Sequence, residues 1–354
     1  MPKRVGHLYE KMLNKSLIQY VIVEGSKGKR KRHDVKVVME DVGKYVEKTY
    51  RLIKNENFIP TKPRKMNIHD KSSNKERTIG VVPFFPDGIM HRLAAEVLKP
   101  VFMRGMYAHS CASIPGRGNM HAIKYTKKAL KDRKHSKYCA KMDIHHYYPS
   151  LEPERIIKAL KRKVKDERML KLVKDIISSG DQGGITIGYY LNQWLANFYL
   201  EPLDHMICGL PGVHYYVRNM DDMVLIGGNK KQLHKAVKMI SEALEIMGLK
   251  LKDNWQVFRI DSRGVDFVGY RFFHGYTLLR RRNFLKLARQ SRKLHRKIKR
   301  RERISLLEAA GWLARVGQLK HCSGVNIRKK YVDPISIKRM KNIVRIHAKG
   351  MVTA

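Results

Sequence analysis

The alternation of apolar and polar residues in the middle of the chain predicts strands. Over residues 138–144 the even positions share one face and the odd positions, including Asp143, share the other. Further along, β-type runs on either side of Met220 predict a hairpin with Asp221 and Asp222 at its tip. We therefore expect Asp143 at the end of a strand and the other two carboxylates in a turn.

Other segments carry helical or paired-strand patterns. Apolar residues at helical intervals predict helices over 35–55, 88–102, 153–178, 191–207 and a strongly basic one over 280–304. Residues 68–82 read as a strand pair whose turn, at 70–74, leaves Lys75 and Arg77 on the returning strand. A Gly-rich loop at 180–188 precedes the helix 191–207.

The charge of the chain indicates a polyanionic partner. Lys and Arg number 74 against 31 Asp and Glu, which gives a net charge of +43 spread along all 354 residues. Self-repulsion of this size opposes a compact fold unless nucleic acid lies on the surface. A basic RNA-binding protein of the ribosomal type shares this charge, but 43% hydrophobic residues and long patterned segments favour an enzyme-sized body.

Cysteine spacing and hydropathy indicate the compartment. The four cysteines are far apart and form no CxxC pair, which argues against a zinc ribbon or a disulfide framework and fits a reducing cytoplasm. No uncharged stretch of about 18 residues occurs, so we expect neither a membrane span nor secretion.

The three carboxylates suit phosphoryl transfer. Transfer to a 3′-hydroxyl uses two divalent ions, which need carboxylates converging from separate strands. Asp143 and the pair Asp221-Asp222 meet that need, and hard oxygen ligands suit Mg²⁺. An Asp-Asp pair in a turn more often caps or is solvated, so the surrounding motifs decide.

These motifs resemble those of reverse transcriptases, in the family order. Residues 143–148 (Asp-Ile-His-His-Tyr-Tyr) resemble the first palm motif, 187–193 (Ile-Gly-Tyr-Tyr-Leu-Asn-Gln) the second and 219–222 (Asn-Met-Asp-Asp) the third. Residues 264–270 resemble the primer-grip hairpin and 75–79 a fingers strand. The resemblance covers about residues 20–330.

The resemblance implies an α+β right-hand polymerase that carries out RNA-directed DNA synthesis. Fingers and the N-terminal region would occupy 1–135, a palm with an antiparallel sheet 136–275, and a basic helical thumb 276–354. The implied substrates are deoxynucleoside triphosphates, a template RNA and the RNA–DNA hybrid. The thumb would contact the sugar–phosphate backbone of the hybrid.

The same resemblance assigns roles at the metal site. Asp143 and Asp221 would bind two Mg²⁺ ions, for which Mn²⁺ could substitute, with help from the carbonyl of Ile144. Asp222 would shape the local field with less direct coordination. A lysine that protonates pyrophosphate is expected, with Lys250 and Lys252 as candidates.

Around the nucleotide, each implied role has a structural alternative. Tyr148 would press on a ribose 2′-hydroxyl and so favour deoxynucleotides, or pack under the palm strand. Arg77, with Lys75, would reach the triphosphate, or be solvated. Gly188 would let the backbone approach the nascent base pair, or form the turn that leads into the helix, and the two roles are compatible. Gln193 would orient the template or the helix start. We expect no chemical role for His145 and His146. Trp312 should pack in a core rather than stack on a base. Ile187 should either make an apolar contact with the nucleotide or pack in the core.

Within the family, two segments most resemble reverse transcriptases of diversity-generating retroelements. These are the second palm motif, with Ile187 and Asn192, and the stretch 110–118. The implied function is error-prone copying of a template-repeat RNA with a basic oligomeric accessory variability protein. A retron-like or phage-defence enzyme and a decayed RNA-binding protein remain alternatives. Asn219 departs from the usual Tyr before Met-Asp-Asp, and Asn192 from the commoner Ser.

Overall fold

The computed structural model describes residues 4–70, 75–180 and 183–349, in which helices surround three antiparallel sheets. The helices are α1 Leu8–Lys11, α2 Lys15–Ser26, α3 His33–Glu40, α4 Val42–Lys54, α5 Ile89–Gly105, α6 Asn119–Ala129, α7 Pro153–Lys161, α8 Glu167–Ser178, α9 Tyr190–Tyr199, α10 Glu201–Cys208, α11 Lys230–Ile246, α12 Ile260–Arg263, α13 Arg281–Lys299, α14 Leu306–Gln318, α15 Val325–Tyr331 and α16 Ile337–Lys349. The strands are β1 Arg64–Asp70, β2 Lys75–Val81, β3 Tyr138–Asp143, β4 Tyr215–Asn219, β5 Asp222–Gly227, β6 Gln256–Arg259, β7 Val265–Phe267, β8 Tyr270–Phe272 and β9 Thr277–Leu279.

The central sheet has the order β4-β5-β3-β6, and its middle strands are the two predicted from the sequence. Alternate residues of β3 enter two different cores: Ala140 and Met142 pack among the helices, whereas Cys139 packs toward the sheet of β7, β8 and β9. Both faces of the central sheet are therefore covered, which fixes the register because a one-residue slip would exchange the two faces. The predicted hairpin of β4 and β5 is confirmed, but Asp222 is the first residue of β5 and not part of the turn, because it pairs with Asn219 of β4 and Asp143 of β3.

The predicted strand pair near the N-terminal third is also confirmed. Strands β1 and β2 pair antiparallel from Arg64 opposite Val81 to Asp70 opposite Lys75. Residues 71–74, which hold most of the predicted turn, and the side chain of Lys75 lie outside the described residues.

Three predicted long helices are each wrong, because each is interrupted by a capping or helix-breaking residue. The segment 153–178 is divided into α7 and α8 by Asp166, whose side chain caps α8 at Met169 and also accepts from the start of α1. The segment 191–207 is divided into α9 and α10 near Pro202, which lacks an amide hydrogen. The segment 35–55 is divided at Asp41, whose side chain caps α4.

The C-terminal helices have a core of their own. Trp312 is fully buried there with Leu287, Leu294 and Met340, and its indole nitrogen donates to Ser291 at 2.8 Å. The expected packing role of Trp312 is thus confirmed. Within the described ranges, no helix is both long and apolar enough to cross a bilayer. The domain boundaries at residues 135 and 275 stay predictions.

Candidate active site

Strand pairing brings the three carboxylates to one end of the central sheet. Asp143, the last residue of β3, lies directly opposite Asp222, the first residue of β5. The amide of Ile144 donates to the carbonyl of Asp221 at 3.2 Å, which ties the hairpin tip to the end of β3. Met220 reverses the chain with a φ of 61°. The positions of all three carboxylates thus follow from the sheet rather than from a flexible loop.

Asp222 points partly inward. Its Oδ1 is buried without a hydrogen-bond partner among the described residues, and Lys141 Nζ lies 3.5 Å from its Oδ2. Burial raises the pKa of Asp222 to about 6, which the charge of Lys141 opposes and the charge of Asp221 reinforces. The protonation of Asp222 is therefore coupled to the charges of Lys141 and Asp221 at the end of the sheet.

Of the two candidate lysines, Lys252 is the one at the site. Its amide donates to the carbonyl of Asp143 at 2.9 Å, and its ammonium contacts Asp143 Oδ1. The Lys250 side chain is instead largely exposed, and its Nζ lies 3.9 Å from Asp253 Oδ1. The segment that carries both lysines runs alongside the end of β3, since Ile144 forms a bridge with Leu251.

The donor set at this end of the sheet fits a magnesium ion. Asp143, Asp221 and the carbonyl of Ile144 supply hard oxygens, and Mg²⁺ takes few protein ligands and keeps waters and substrate phosphates. Among the described residues, no three side chains of His, Cys, Asp or Glu form a metal cluster by themselves. The ammonium of Lys252 already lies at Asp143, and one buried oxygen of Asp222 has no partner among the described residues, so this end of the sheet attracts cations. His145 and His146 are exposed beside them.

Tyr148 lies next to the tip of the β4–β5 hairpin and close to β2. Its hydroxyl is 3.8 Å from the Sδ of Met220. Burial raises the pKa of Tyr148, the charge of Asp221 raises it further, and the charge of Arg77 on β2 lowers it. Arg77, Tyr148 and Asp221 therefore lie in one electrostatic neighbourhood, although they come from three separate segments.

The Gly-rich loop connects Tyr148 with β2. The amide of Gly80 donates to the carbonyl of Ile187 at 2.8 Å, and the amide of Ile185 donates to the carbonyl of Tyr148 at 3.1 Å. Gly188 has a φ of +111°, and a Cβ there would lie 2.7 Å from the carbonyl oxygen of Gly80. Gly188 is thus required both by its backbone angle and by the close approach of the fingers strand.

The remaining residues of the second motif occupy different environments. Ile187 is half-buried and belongs to none of the three cores of the described chain, which weakens the packing alternative. Asn192 is fully buried and donates to the carbonyl of Thr186 at 2.9 Å, so it fixes the loop. The Gln193 side chain is half-buried on the first turn of α9 and makes no hydrogen bond to a described residue. The structure does not join Gln193 to the other site residues.

Sequence reasoning missed Arg218, which supports the hairpin tip from inside. Arg218 is fully buried, pairs with Asp204 through its Nε at 2.7 Å and an Nη at 2.6 Å, and donates to the carbonyl of Met220 at 2.9 Å. Tyr216 also donates to Asp204, at 2.7 Å. A charged residue inside an otherwise apolar strand was a signal for this pair, because buried charges occur paired.

Known proteins resemble this chain over its central part. The family described as reverse transcriptase (RNA-dependent DNA polymerase) matches residues 68–272. The group II intron-encoded protein LtrA of Lactococcus lactis subsp. cremoris is 23% identical over 209 residues, which are 56% of this chain and 34% of LtrA. Protein YkfC of Escherichia coli (strain K12) is 25% identical over 161 residues, 42% of each chain. This chain thus spans less than half the length of either relative.

Among solved structures, two telomerases are similar. Telomerase from Candida albicans, in complex with a TWJ fragment of telomeric RNA, has a TM-score of 0.48 and 12% identity over 68% of this chain and 51% of that one. Apo telomerase from Candida tropicalis has a TM-score of 0.45 and 13% identity over 61% and 47%.

The family match covers more than half of the chain and includes the end of β1, all of β2 to β8, the three carboxylates and the Gly-rich loop. The mixed α+β architecture and the right-hand polymerase fold predicted from the motifs are confirmed. The chain belongs to the reverse transcriptase (RNA-dependent DNA polymerase) family.

Proposed function

We propose that this chain is an RNA-directed DNA polymerase that makes cDNA from an RNA template by two-metal nucleotidyl transfer. The convergence of Asp143 and Asp221 at the end of the central sheet, beside Tyr148 and Arg77, is the observation that carries the proposal. The substrates are a template RNA, the growing RNA–DNA hybrid and deoxynucleoside triphosphates. The distributed positive charge supports binding of the nucleic acid through its phosphates.

In the proposed mechanism, Asp143, Asp221 and the Ile144 carbonyl would hold the ions. Two bound Mg²⁺ ions would activate the primer 3′-hydroxyl and neutralise the triphosphate. Arg77, with Lys75, binds the triphosphate oxygens from the fingers, where a guanidinium forms paired hydrogen bonds. The ring of Tyr148 excludes a 2′-hydroxyl.

Two further residues complete the proposed mechanism. Lys252 Nζ, already at Asp143, is the group that we assign to protonation of the leaving pyrophosphate. Gln193 orients the template strand.

Replacing Asp221 by Asn tests the catalytic assignment. Asp221→Asn removes a charge from the ion site, so primer extension with Mg²⁺ or Mn²⁺ should be lost. Binding of RNA should change little, because many separate lysines and arginines provide it. Asp253→Asn is the matched control, since the Asp253 side chain is 95% exposed. Robust synthesis by the Asp221 variant would refute the assignment.

We further propose that the enzyme serves a diversity-generating retroelement. It would copy a template-repeat RNA with errors at adenines, with a basic oligomeric accessory protein as partner. The half-buried Ile187, outside the cores and next to Gly188, supports an apolar contact where a glutamine would donate hydrogen bonds. Four free cysteines support work in a reducing cytoplasm.

Error spectra test this narrower proposal. A site that offers only apolar contact discriminates by shape, which is worth only roughly 1–3 kcal/mol. Ile187→Gln should therefore keep synthesis but lower misincorporation, most clearly opposite template adenines, whereas Ile187→Leu should leave the spectrum unchanged. Sequencing of cDNA made on one template measures this. Equal spectra for the Gln variant and the wild type would favour the retron-like or defence alternative, and absence of synthesis by the wild type would favour a decayed protein.

A further inference from the structure

A second basic surface lies at the end of the central sheet opposite to the carboxylates. Strand β3 begins at Tyr138 and ends at Asp143, so its two ends are ~17 Å apart at about 3.3 Å per residue. At the Tyr138 end the surface has two adjoining cavities, of about 360 and 290 Å³, which share Arg133 as a lining residue. The site described above uses neither cavity.

A pair of stacked aromatic rings forms one wall of the larger cavity. Phe273 and Tyr276 stack with centroids 4.7 Å apart and planes 12° from parallel. The turn between them is closed by a hydrogen bond from the amide of Phe273 to the carbonyl of Tyr276 at 3.0 Å. Tyr276 is 47% exposed, so one face of an already stacked pair is open to solvent. Any of the four nucleobases can stack on such a face, so this contact does not depend on the RNA sequence.

The turn that carries the rings is held in place by a buried histidine. His274, between the two aromatic residues, has its Nδ1 2.5 Å from Asp261 Oδ1. Its Nε2 lies 2.9 Å from the hydroxyl and 3.0 Å from the carbonyl of Ser136, at the entry to β3. The stacked pair of Phe273 and Tyr276, called here the platform, is therefore fixed to the central sheet before any ligand binds. This lowers the entropic cost of binding.

The charges around the platform are positive. Lys131 and Arg133 line the larger cavity, and Arg133, Lys137 and Arg259 line the smaller one; all four are exposed. The acid that lines the smaller cavity, Asp261, is engaged by His274 through Oδ1, and its Oδ2 lies 4.0 Å from the Nε of Arg259. Phosphates match such a surface, whereas the basic accessory protein proposed above would be repelled by it.

We propose that this surface, formed by Lys131, Arg133, Lys137, Arg259 and Tyr276 and called here the distal surface, binds a single-stranded segment of RNA. One base stacks on Tyr276, and the cations hold the neighbouring phosphates. A duplex does not fit this arrangement, because its bases are already stacked on each other. The proposal rests on the proposed function only in that the RNA is the one being copied, whose unpaired part would be held away from the carboxylates.

Binding of a fluorescein-labelled single-stranded 12-mer RNA, followed by anisotropy, tests the stacking contact. Tyr276→Ala should weaken binding by about tenfold, as expected for loss of one stacked base, and Tyr276→Trp should retain it. Tyr20→Ala removes another exposed tyrosine, 52% exposed on α2, and should have no effect. Thermal unfolding of each variant checks that the fold is intact.

The salt dependence of the same binding tests the phosphate contacts. For single strands the slope of log affinity against log salt is about −0.7 per phosphate contact, so Arg133→Gln with Lys137→Gln should reduce its size by roughly 1.4. Lys235→Gln with Lys238→Gln removes the same charge from the exposed face of α11 and should reduce it less.

Extension of a short, fully paired primer–template separates this proposal from the proposed function. The distal variants should extend that substrate at the wild-type rate, because a fully paired duplex offers no unpaired base to the distal surface. Failure of the wild type to extend it would refute the polymerase assignment and leave the RNA-binding result intact. The proposal would be overturned if Tyr276→Ala left the RNA affinity unchanged and Arg133→Gln with Lys137→Gln left the salt slope unchanged. The surface would then suit an acidic protein partner instead.

Discussion

Removing the guanidinium of Arg218 should destabilise the protein and misplace the hairpin of β4 and β5, which carries the proposed catalytic carboxylates. Arg218→Met would leave Asp204 fully buried with the hydroxyl of Tyr216 as a remaining donor. Breaking a buried ion pair by removing one partner costs about 3–5 kcal/mol, because an uncompensated charge stays in the core. The free energy of unfolding in urea should fall by about this amount. The exposed pair of Lys15 and Glu47 is the control, and Lys15→Met should cost less than about 1 kcal/mol.

The double variant Arg218→Met with Asp204→Leu separates stability from positioning. Replacing both partners of a buried pair by apolar residues is often neutral, so most of the lost stability should return. Activity should not return, since the carbonyl of Met220 still lacks the donor that Arg218 supplied at 2.9 Å. A displacement of about 1 Å at a catalytic group costs up to roughly 100-fold in rate, and primer extension measures it. A single variant within 1 kcal/mol of the wild type, or a double variant with full activity, would refute this reasoning.

Three further predictions concern the loop, the sugar gate and the C-terminal helices. Gly188→Ala should cost more than about 1 kcal/mol and slow extension because its Cβ would strike β2, whereas Gly183→Ala, with a φ of +70° and open space, should cost less. Tyr148→Ala should raise ribonucleotide incorporation in primer extension, and Tyr148→Phe, which keeps the ring, should not. The Ser305 amide and Lys297 lower the pKa of Glu308 from 4.5 to about 2, so its stabilising contribution is complete above pH 4.5 and is lost as the pH falls towards 2. Glu308→Gln should therefore lower stability at neutral pH, with a difference that shrinks towards pH 2 in unfolding followed by tryptophan fluorescence. A constant difference would contradict this.

The parts of the fold that the sequence predicts correctly depend on local patterns. The two-residue period of β3 placed Asp143 at a strand end, and the polar residues between two apolar runs placed Asp221 and Asp222 in a hairpin. The pairing of β3 with β5, which places Asp143 opposite Asp222, is a contact between segments distant in the chain, and the local patterns leave it open.

The parts that the sequence did not predict depend on contacts between distant segments. Asp166 ends a helical pattern because its carboxylate also accepts from the amides of Leu8 and Tyr9, about 160 residues earlier. The pairing of Arg218 with Asp204 joins a strand to a helix that the pattern showed only as amphipathic. Periodicity carries no information about such partners, since it reports which face is buried and not what that face meets.

The balance of charges at the catalytic end explains how three carboxylates remain close together. Lys252 contacts Asp143, Lys141 approaches Asp222, and the dipole of the Met220 carbonyl is held by the buried Arg218. Burial already raises the pKa of Asp222 to about 6, and without these cations the neighbouring carboxylates would raise it further and favour protonation. An ion that binds Asp143 must therefore compete with the ammonium of Lys252. Once an ion has displaced it from Asp143, the Lys252 ammonium can donate a proton to the leaving pyrophosphate. Binding of the ion and the proposed proton transfer would therefore depend on the same side chain.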